Sequence, residues 1–414
     1  MYSHGFLTVF DSTDSVCCDT LYEIGPTMEM LREYDIIKFS PVELDDLTSN
    51  FSQANLIGEA QFGKVYRGKT QQGQDVTVKI WEDLGKFAVG RDEHRSQFAK
   101  ECIFLMESSV NHHPSLVKLL GYCCEDSLLG VVYDLKPVDT VHNLIDKDRF
   151  SWLHRIKVAI DMARLLEFLH YHHKPQYLVR NISSAHMMVD QDYNPVLFDF
   201  CMLVGGVFGD EQPIANMFVL GAPGYTDPII MNMGTWWKIH DVFSFGTVLL
   251  ELISKRPSEI KKPVHSWAEA QYNLNEPKKS SFGRFALSKK FSLVHKSFEE
   301  DLGFSQHDGY KITDLAMRSV SDTGVRPYMN EVVQTLERLH AENDAHPDYA
   351  LGNVIATLPE SDVVTLVLAL VPDLYPYAYP QPPMGLLDHA LSLLLPPPLH
   401  PPQLPEWPLT LSSE

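Results

Sequence analysis

NLIGEAQFGKVYRGKT (residues 55–70), a QQGQ turn and DVTVKIW (residues 75–81) hold the reading on which the fold depends. Short runs of strand formers, broken by glycine and polar turn residues, predict a glycine-containing hairpin followed by another strand. Lys79 stands in that strand beside Val76, Val78 and Ile80. A lysine inside an apolar β-run needs a partner or a route to solvent. The next stretch, HRSQFAKECIFLMESS (94–109), has a helical pattern with Phe98, Cys102, Leu105 and Met106 on one face, and it offers Glu101 as the partner. SLVKLLGYCC (115–124) and LLGVVYDL (128–135) read as two more strands.

Before this block, FSPVELDDLTSNFS (39–52) reads as a short helix beginning near Pro41, a residue suited to a first helical position because its missing N–H would have no partner there. After it, helices dominate. WLHRIKVAIDMARLLEFLHYH (152–172) carries Ile156, Ala159, Ile160, Ala163, Leu166 and Leu169 on one stripe. DVFSFGTVLLELIS (241–254) is nearly continuously apolar, as a helix through the centre of a lobe would be, and NEVVQTLERLH (330–340) reads as a last amphipathic helix ending near His340. HNLIDKDRF (142–150) reads as a solvated loop. The expected architecture is α+β and bilobal: an N-terminal extension (1–50), a β-rich lobe (51–136), a helical lobe (137–342) and a Pro-rich tail (343–414). Within residues 372–414 lie 12 of the 27 prolines, with PxxP spacings that favour extended polyproline II over a packed core, so the tail is expected to be disordered or loosely attached.

Composition narrows the function classes. Among 414 residues, 34 Lys+Arg face 54 Asp+Glu, a net charge of −20 that argues against a nucleic-acid surface. Six cysteines without a CxxC spacing suit neither a disulfide scaffold nor a zinc site. No secretory signal and no membrane-spanning run is apparent, so the expected setting is the cytoplasm. Acylation of Cys17-Cys18 would tether the chain peripherally at the plasma membrane; an unmodified surface pair is the blander alternative.

Together these segments resemble the protein kinase domain, and most closely that of plant receptor-like and receptor-like cytoplasmic Ser/Thr kinases, over about Phe51 to Leu339. GEAQFGKVYRG stands where that family has its Gly-rich loop, VTVK where it has the strand lysine, and FAKE where it has the helix glutamate. YLVRNISSAHMMVD, LFDFC, GAPGYTDP, DVFSFGTVLLEL and GVRPYMNEVV follow in the family's order. The resemblance implies that Gly58, Gly63, Val65, Lys79, Glu101 and Tyr133 bind or frame ATP, and that Asp199 holds Mg²⁺. Ala60 replaces the middle glycine of the loop, where a Cβ loosens the approach to phosphate. The bland reading of Lys79 and Glu101 is a structural ion pair.

The catalytic loop departs from the family's HRDxKxxN. Asn181 stands at the base position, where an amide oxygen accepts hydrogen bonds without useful basicity. Ser183 replaces the lysine that balances phosphate charge. His186 replaces the asparagine that ligates a second magnesium, and imidazole suits hard Mg²⁺ poorly, which leaves a weak or single ion. Loss of general-base catalysis alone costs ~10²–10⁴-fold. Val179, replacing the family's histidine, should still pack against Phe200 and Leu105. Cys201 replaces the glycine after Phe200 and reads as a small buried filler. Arg180 has no Ser or Thr between Asp199 and Tyr225 whose phosphate it could hold; Asp210, Glu211 or solvent are the alternatives. Arg326 is expected to lack its usual glutamate partner, because Ile229 stands there. Asp241 is expected to brace the catalytic loop. The resemblance therefore points to a pseudokinase that keeps ATP and acts as scaffold or allosteric partner of other kinases or receptor complexes. Two alternatives stay open: an active Ser/Thr kinase with atypical residues, and an interaction module with an empty nucleotide cleft.

Overall fold

The computed structural model describes residue 31 and residues 36–82, 91–125, 128–173, 176–208, 221–230, 236–275, 291–322 and 325–344. Cys17-Cys18, Asp210, Glu211 and the Pro-rich tail beyond Asp344 lie outside these residues. The chain divides into two units at Leu339/His340, and the first carries both lobes.

The first lobe is a six-stranded sheet in the order β1-β5-β6-β4-β3-β2, built from β1 (Ile37–Lys38), β2 (Leu56–Ala60), β3 (Gly63–Lys69), β4 (Asp75–Trp81), β5 (Leu119–Glu125) and β6 (Leu128–Tyr133). The pairing of β1 with β5 is parallel and the others are antiparallel. Strand alternation sends Val76, Val78 and Ile80 of β4 to one face and Lys79 and Trp81 to the other, and all five are buried. Helix α1 (Pro41–Thr48) covers the first face with Leu44 and Leu47. It starts where Pro41 was expected to start it: Ser40 accepts from Glu43 N–H, and the Glu43 carboxylate reaches back to Ser40 N–H, a capping box. Residues 37–48, placed by sequence in an extension, thus supply a strand and a helix to this lobe. Gly130 permits that contact, since a Cβ there would meet Leu44 Cδ1 at 2.6 Å.

The opposite face receives α2 (Arg91–Met106), which brings Phe98 and Cys102, both fully buried, against the sheet. The second lobe is helical. A short strand β7 (Asp139–Thr140) leads into α3 (Val141–Leu144), and α4 (Trp152–Glu167) buries every residue of its apolar stripe. The stretch 142–150 is not a solvated loop: it begins within α3 and buries Leu144, Ile145 and Phe150 completely. Its charged residues face outward and mask the apolar ones in the sequence pattern.

Beyond α4 come β8 (Tyr177–Leu178), β9 (Met187–Val189), β10 (Pro195–Leu197) and β11 (Val204–Gly205); β9 pairs with β10 and β7, and β8 with β11. Helix α5 (Lys238–Ser254) runs buried from His240 to its end, as its apolar sequence requires. Helices α6 (Val264–Asn275), α7 (Gln306–Ser319) and α8 (Met329–Asp344) complete the lobe. Helix α8 continues past His340, because Ala-Glu-Asn-Asp presents no helix breaker before Pro347.

Candidate functional site

Register places the site. In the β3–β4 ladder Val65 opposes Lys79, and on the other side of β4 Lys79 opposes Val131 of β6. Lys79 therefore points from the middle of the sheet toward α2, where Glu101 waits. Its Nζ lies 2.5 Å from Glu101 Oε2 and 2.5 Å from Asp199 Oδ1, and all three side chains are wholly buried. Tyr133 donates its O–H to Glu101 Oε1 at 2.5 Å, so the helix carboxylate is held from both sides. Val65 is buried within the same core.

One cation thus serves two buried carboxylates. Burial alone would strip Lys79 of its proton, but the charges of Asp199 and Glu101 more than offset it and raise its pKa. Burial would likewise raise Asp199, yet Lys79, His186 and the Gln61 N–H hold it down to about 2. Glu101 is raised, by burial first and by the Asp199 charge, against the pull of Lys79. This is the pattern expected when like charges share one partner in a low-dielectric interior.

Asp199 sits at φ +66°, in the left-handed region that non-glycine residues seldom enter. Its Oδ2 accepts the backbone N–H of Gln61, from the turn between β2 and β3, at 2.6 Å, and faces His186 Nε2 at 3.3 Å. Both oxygens of the one carboxylate that suits Mg²⁺ are therefore engaged by protein groups. Among the described residues no group of three or more His, Cys, Asp or Glu is arranged to hold a metal ion. Asp199 offers the carboxylate oxygen that Mg²⁺ prefers, whereas position 186 offers an imidazole, which suits that ion poorly.

Asn181, Ser183 and His186, the positions expected to form the catalytic loop, are buried. Asn181 donates Nδ2–H to the backbone carbonyl of Asp199 at 2.9 Å and to Cys201 Sγ at 3.7 Å, while its own carbonyl accepts from His186 Nδ1 at 2.6 Å. None of these partners is a carboxylate side chain. Ser183 Oγ is buried with no hydrogen-bond partner among the described residues. Val179 is fully buried, as its replacement of a histidine implied, and shares the core with Phe200 and Leu105. The helix residue whose ring lies on Phe200 is Phe104, at 4.6 Å between centroids, a contact that sequence reasoning did not single out. Cys201 is buried.

The loop backbone is held by Asp241 of α5, which accepts from Val179 N–H and Arg180 N–H, each at 2.9 Å, and from Trp236 Nε1–H at 3.1 Å. That clamp supports Arg180 at φ +71°. Nearby, Tyr225 donates to Glu251 Oε1 at 2.8 Å, and the same oxygen accepts Ser258 N–H at 2.7 Å. Glu251 Oε2 is buried without a partner among the described residues, and burial pushes this carboxyl up to about 7.

Arg326 corrects an expectation. Rather than lacking a partner, it forms a forked pair with Asp227, Nη2 to Oδ1 at 3.0 Å and Nη1 to Oδ2, and His240 Nδ1 meets the same carboxylate at 2.6 Å. The acid two positions before Ile229 takes over the bridge.

Comparison with known proteins shows the family. Residues 51–283 match the family model described as protein tyrosine and serine/threonine kinase. The chain is 31% identical over 354 residues to the probable serine/threonine-protein kinase PBL11 of Arabidopsis thaliana, covering 80% of this chain and 86% of that protein. It is 30% identical over 333 residues to PBL21, a probable serine/threonine-protein kinase of the same plant, covering 78% and 81%. Over 305 residues it is 30% identical to the Arabidopsis serine/threonine-protein kinase CDG1, covering 72% and 67%. No helix among the described residues is long and apolar enough to cross a membrane.

Proposed function

Since the chain belongs to the protein tyrosine and serine/threonine kinase family, we propose that it is a signalling pseudokinase: a kinase fold that has lost phosphoryl transfer and acts as scaffold or allosteric partner of other kinases or receptor complexes in the cytoplasm. The observation that carries this reading is Asn181, whose amide occupies the base position and donates to the Asp199 carbonyl, with no carboxylate among its partners. Phosphoryl transfer needs a residue to orient and deprotonate the acceptor hydroxyl and cations to balance the phosphate charge. Asn181, Ser183 and His186 remove the base, one cation and one metal ligand together. Such losses act as a unit rather than multiplying.

ATP, when bound, would supply the γ-phosphoryl group and a second negative cluster beside Lys79. Gly58, Gly63 and Val65 would frame the nucleotide, Tyr133 would close the back of the adenine site, and Asp199 would hold one Mg²⁺. A γ-phosphate transfer assay on the full chain, with Mg²⁺ and with Mn²⁺, tests the reading, and turnover at ordinary kinase rates would replace it with an atypical active kinase. The names of the relatives favour that alternative. The third reading, an interaction module that leaves its cleft empty, gains support from the Gln61–Asp199 hydrogen bond. A thermal shift on ATP addition separates it from the first, since a ligand that binds only the folded state must raise stability.

A further inference from the structure

β2 and β3 meet at Ala60 and Gly63, which leaves Gln61 and Phe62 as a two-residue tip. Hairpin tips ordinarily project into solvent. Here Phe62 is 2% exposed. Its ring stacks on Trp81 at 5.5 Å and 22°, and lies 5.3 Å from the ring of His94 on α2. Its carbonyl accepts Glu82 N–H at 3.0 Å, and Lys64 and Glu82 form an ion pair across the same strands. With the ring drawn inward, the preceding peptide turns its N–H onto Asp199 Oδ2 at 2.6 Å. A charge-assisted bond of this kind is about twice as strong as a neutral one.

We propose that the tip of this loop is an internal occupant of the phosphate and metal subsite: the Gln61 N–H and Lys79 satisfy the Asp199 carboxylate, and Phe62, seated on Trp81 and His94, is the latch that keeps the cleft shut. The inference deepens the nucleotide-binding part of the proposed function and does not depend on whether phosphoryl transfer is lost. Its consequence is a tax on nucleotide affinity. If only a fraction of molecules has the loop lifted, the apparent dissociation constant is the intrinsic one divided by that fraction. Releasing the latch raises the fraction and tightens binding, although no residue that touches nucleotide has been improved.

Two substitutions release it differently. Phe62→Ala removes the latch ring. Gln61→Pro replaces the N–H and the Gln61 side chain with a ring and leaves Phe62 in place: Gln61 has no left-handed φ, it stands at the first turn position where proline is favoured, and Ala60 before it is a strand residue. The full chain and both variants are titrated with MgATP by calorimetry, with phosphate transfer recorded on the same samples and melting curves confirming the fold. The expected result is at least tenfold tighter MgATP binding in each variant. Should Phe62→Ala fail to fold, Gln61→Pro, which disturbs no fully buried side chain, decides alone. Unchanged or weaker affinity in folded Gln61→Pro, or no binding by wild type and variant alike, overturns the latch. Transfer appearing in an opened variant would instead sink the pseudokinase reading and leave the latch standing.

Discussion

The side-chain amide of Asn181 donates to the backbone carbonyl of Asp199 at 2.9 Å, so the group proposed to stand at the base position points back into the protein. An aspartate at 181 would set a carboxylate against that carbonyl, acceptor facing acceptor. Asn181→Asp is therefore expected to lower stability by about 1–3 kcal/mol, the cost of an unsatisfied buried polar group, and not to restore ordinary turnover. Urea unfolding and a transfer assay on the same preparation check both parts. A variant as stable as wild type and turning over like a normal kinase would show that the backbone bond is incidental.

Lys79 neutralises two buried carboxylates at 2.5 Å each. Lys79→Met should leave Glu101 and Asp199 uncompensated and cost about 3–5 kcal/mol, as removal of one partner from a buried ion pair does. The melting midpoint is the measurement, and an unchanged midpoint would contradict the expectation. Lost binding in that variant is then no proof that Lys79 touches nucleotide.

Asp227 is pushed up by burial but held down to about 2 by hydrogen bonds from His240 and Arg326. A folded-state pKa below the ordinary 3.8 contributes stability that is full above about pH 4 and is lost as pH falls toward 2. The size is about 2 kcal/mol. Asp227→Asn should reduce the acid limb to what Asp199, held down likewise, contributes, and Arg326→Ala should destabilise at neutral pH by about 3–5 kcal/mol. Unfolding followed from pH 2 to 7 compares the three proteins, and an Asp227→Asn profile identical to wild type would refute the assignment.

Glu251 carries the opposite sign. Its folded-state pKa, raised from 4.5 to about 7, means the folded chain holds this proton more tightly than the unfolded one. Stability should fall as pH rises from about 4.5 to 7, by ~3 kcal/mol at most, and level off above. In Glu251→Gln this slope is expected to shrink to what Glu101, raised in the same direction, contributes, while the hydrogen bonds to Tyr225 and Ser258 stay available to the amide oxygen. A slope as steep as that of the wild type after the substitution would assign it to another group.

What could be read from the sequence is what spacing and periodicity encode. The α4 stripe and the start of α1 at Pro41 follow from residue patterns within an element, and the Lys79–Glu101 pair from a buried strand lysine needing a partner together with the resemblance of FAKE to the kinase helix glutamate. Contacts set by three-dimensional register were not legible. Phe62 finds Trp81 because Gly63 and Trp81 are partners in the β3–β4 ladder, a pairing the loop's glycine spacing does not announce. Arg326 finds Asp227 because the buried guanidinium takes the nearest available acid when the usual position holds Ile229. Phe104 meets Phe200 through the rotation of α2, which the choice of Leu105 alone did not settle. Around Asn181 the sequence showed which groups had changed, but not that the replacement amide turns inward.

The most direct measurement is γ-phosphate transfer by the full-length chain at saturating ATP, with Mg²⁺ and separately with Mn²⁺, scored on itself and on a general protein substrate. Ordinary kinases turn over at ~1–100 s⁻¹, and loss of the base alone should bring this to about 1 s⁻¹ or below. The expected result is label no higher than that of heat-inactivated protein with either metal. Turnover within the ordinary range, abolished by Asp199→Asn in a variant that remains folded, would contradict it.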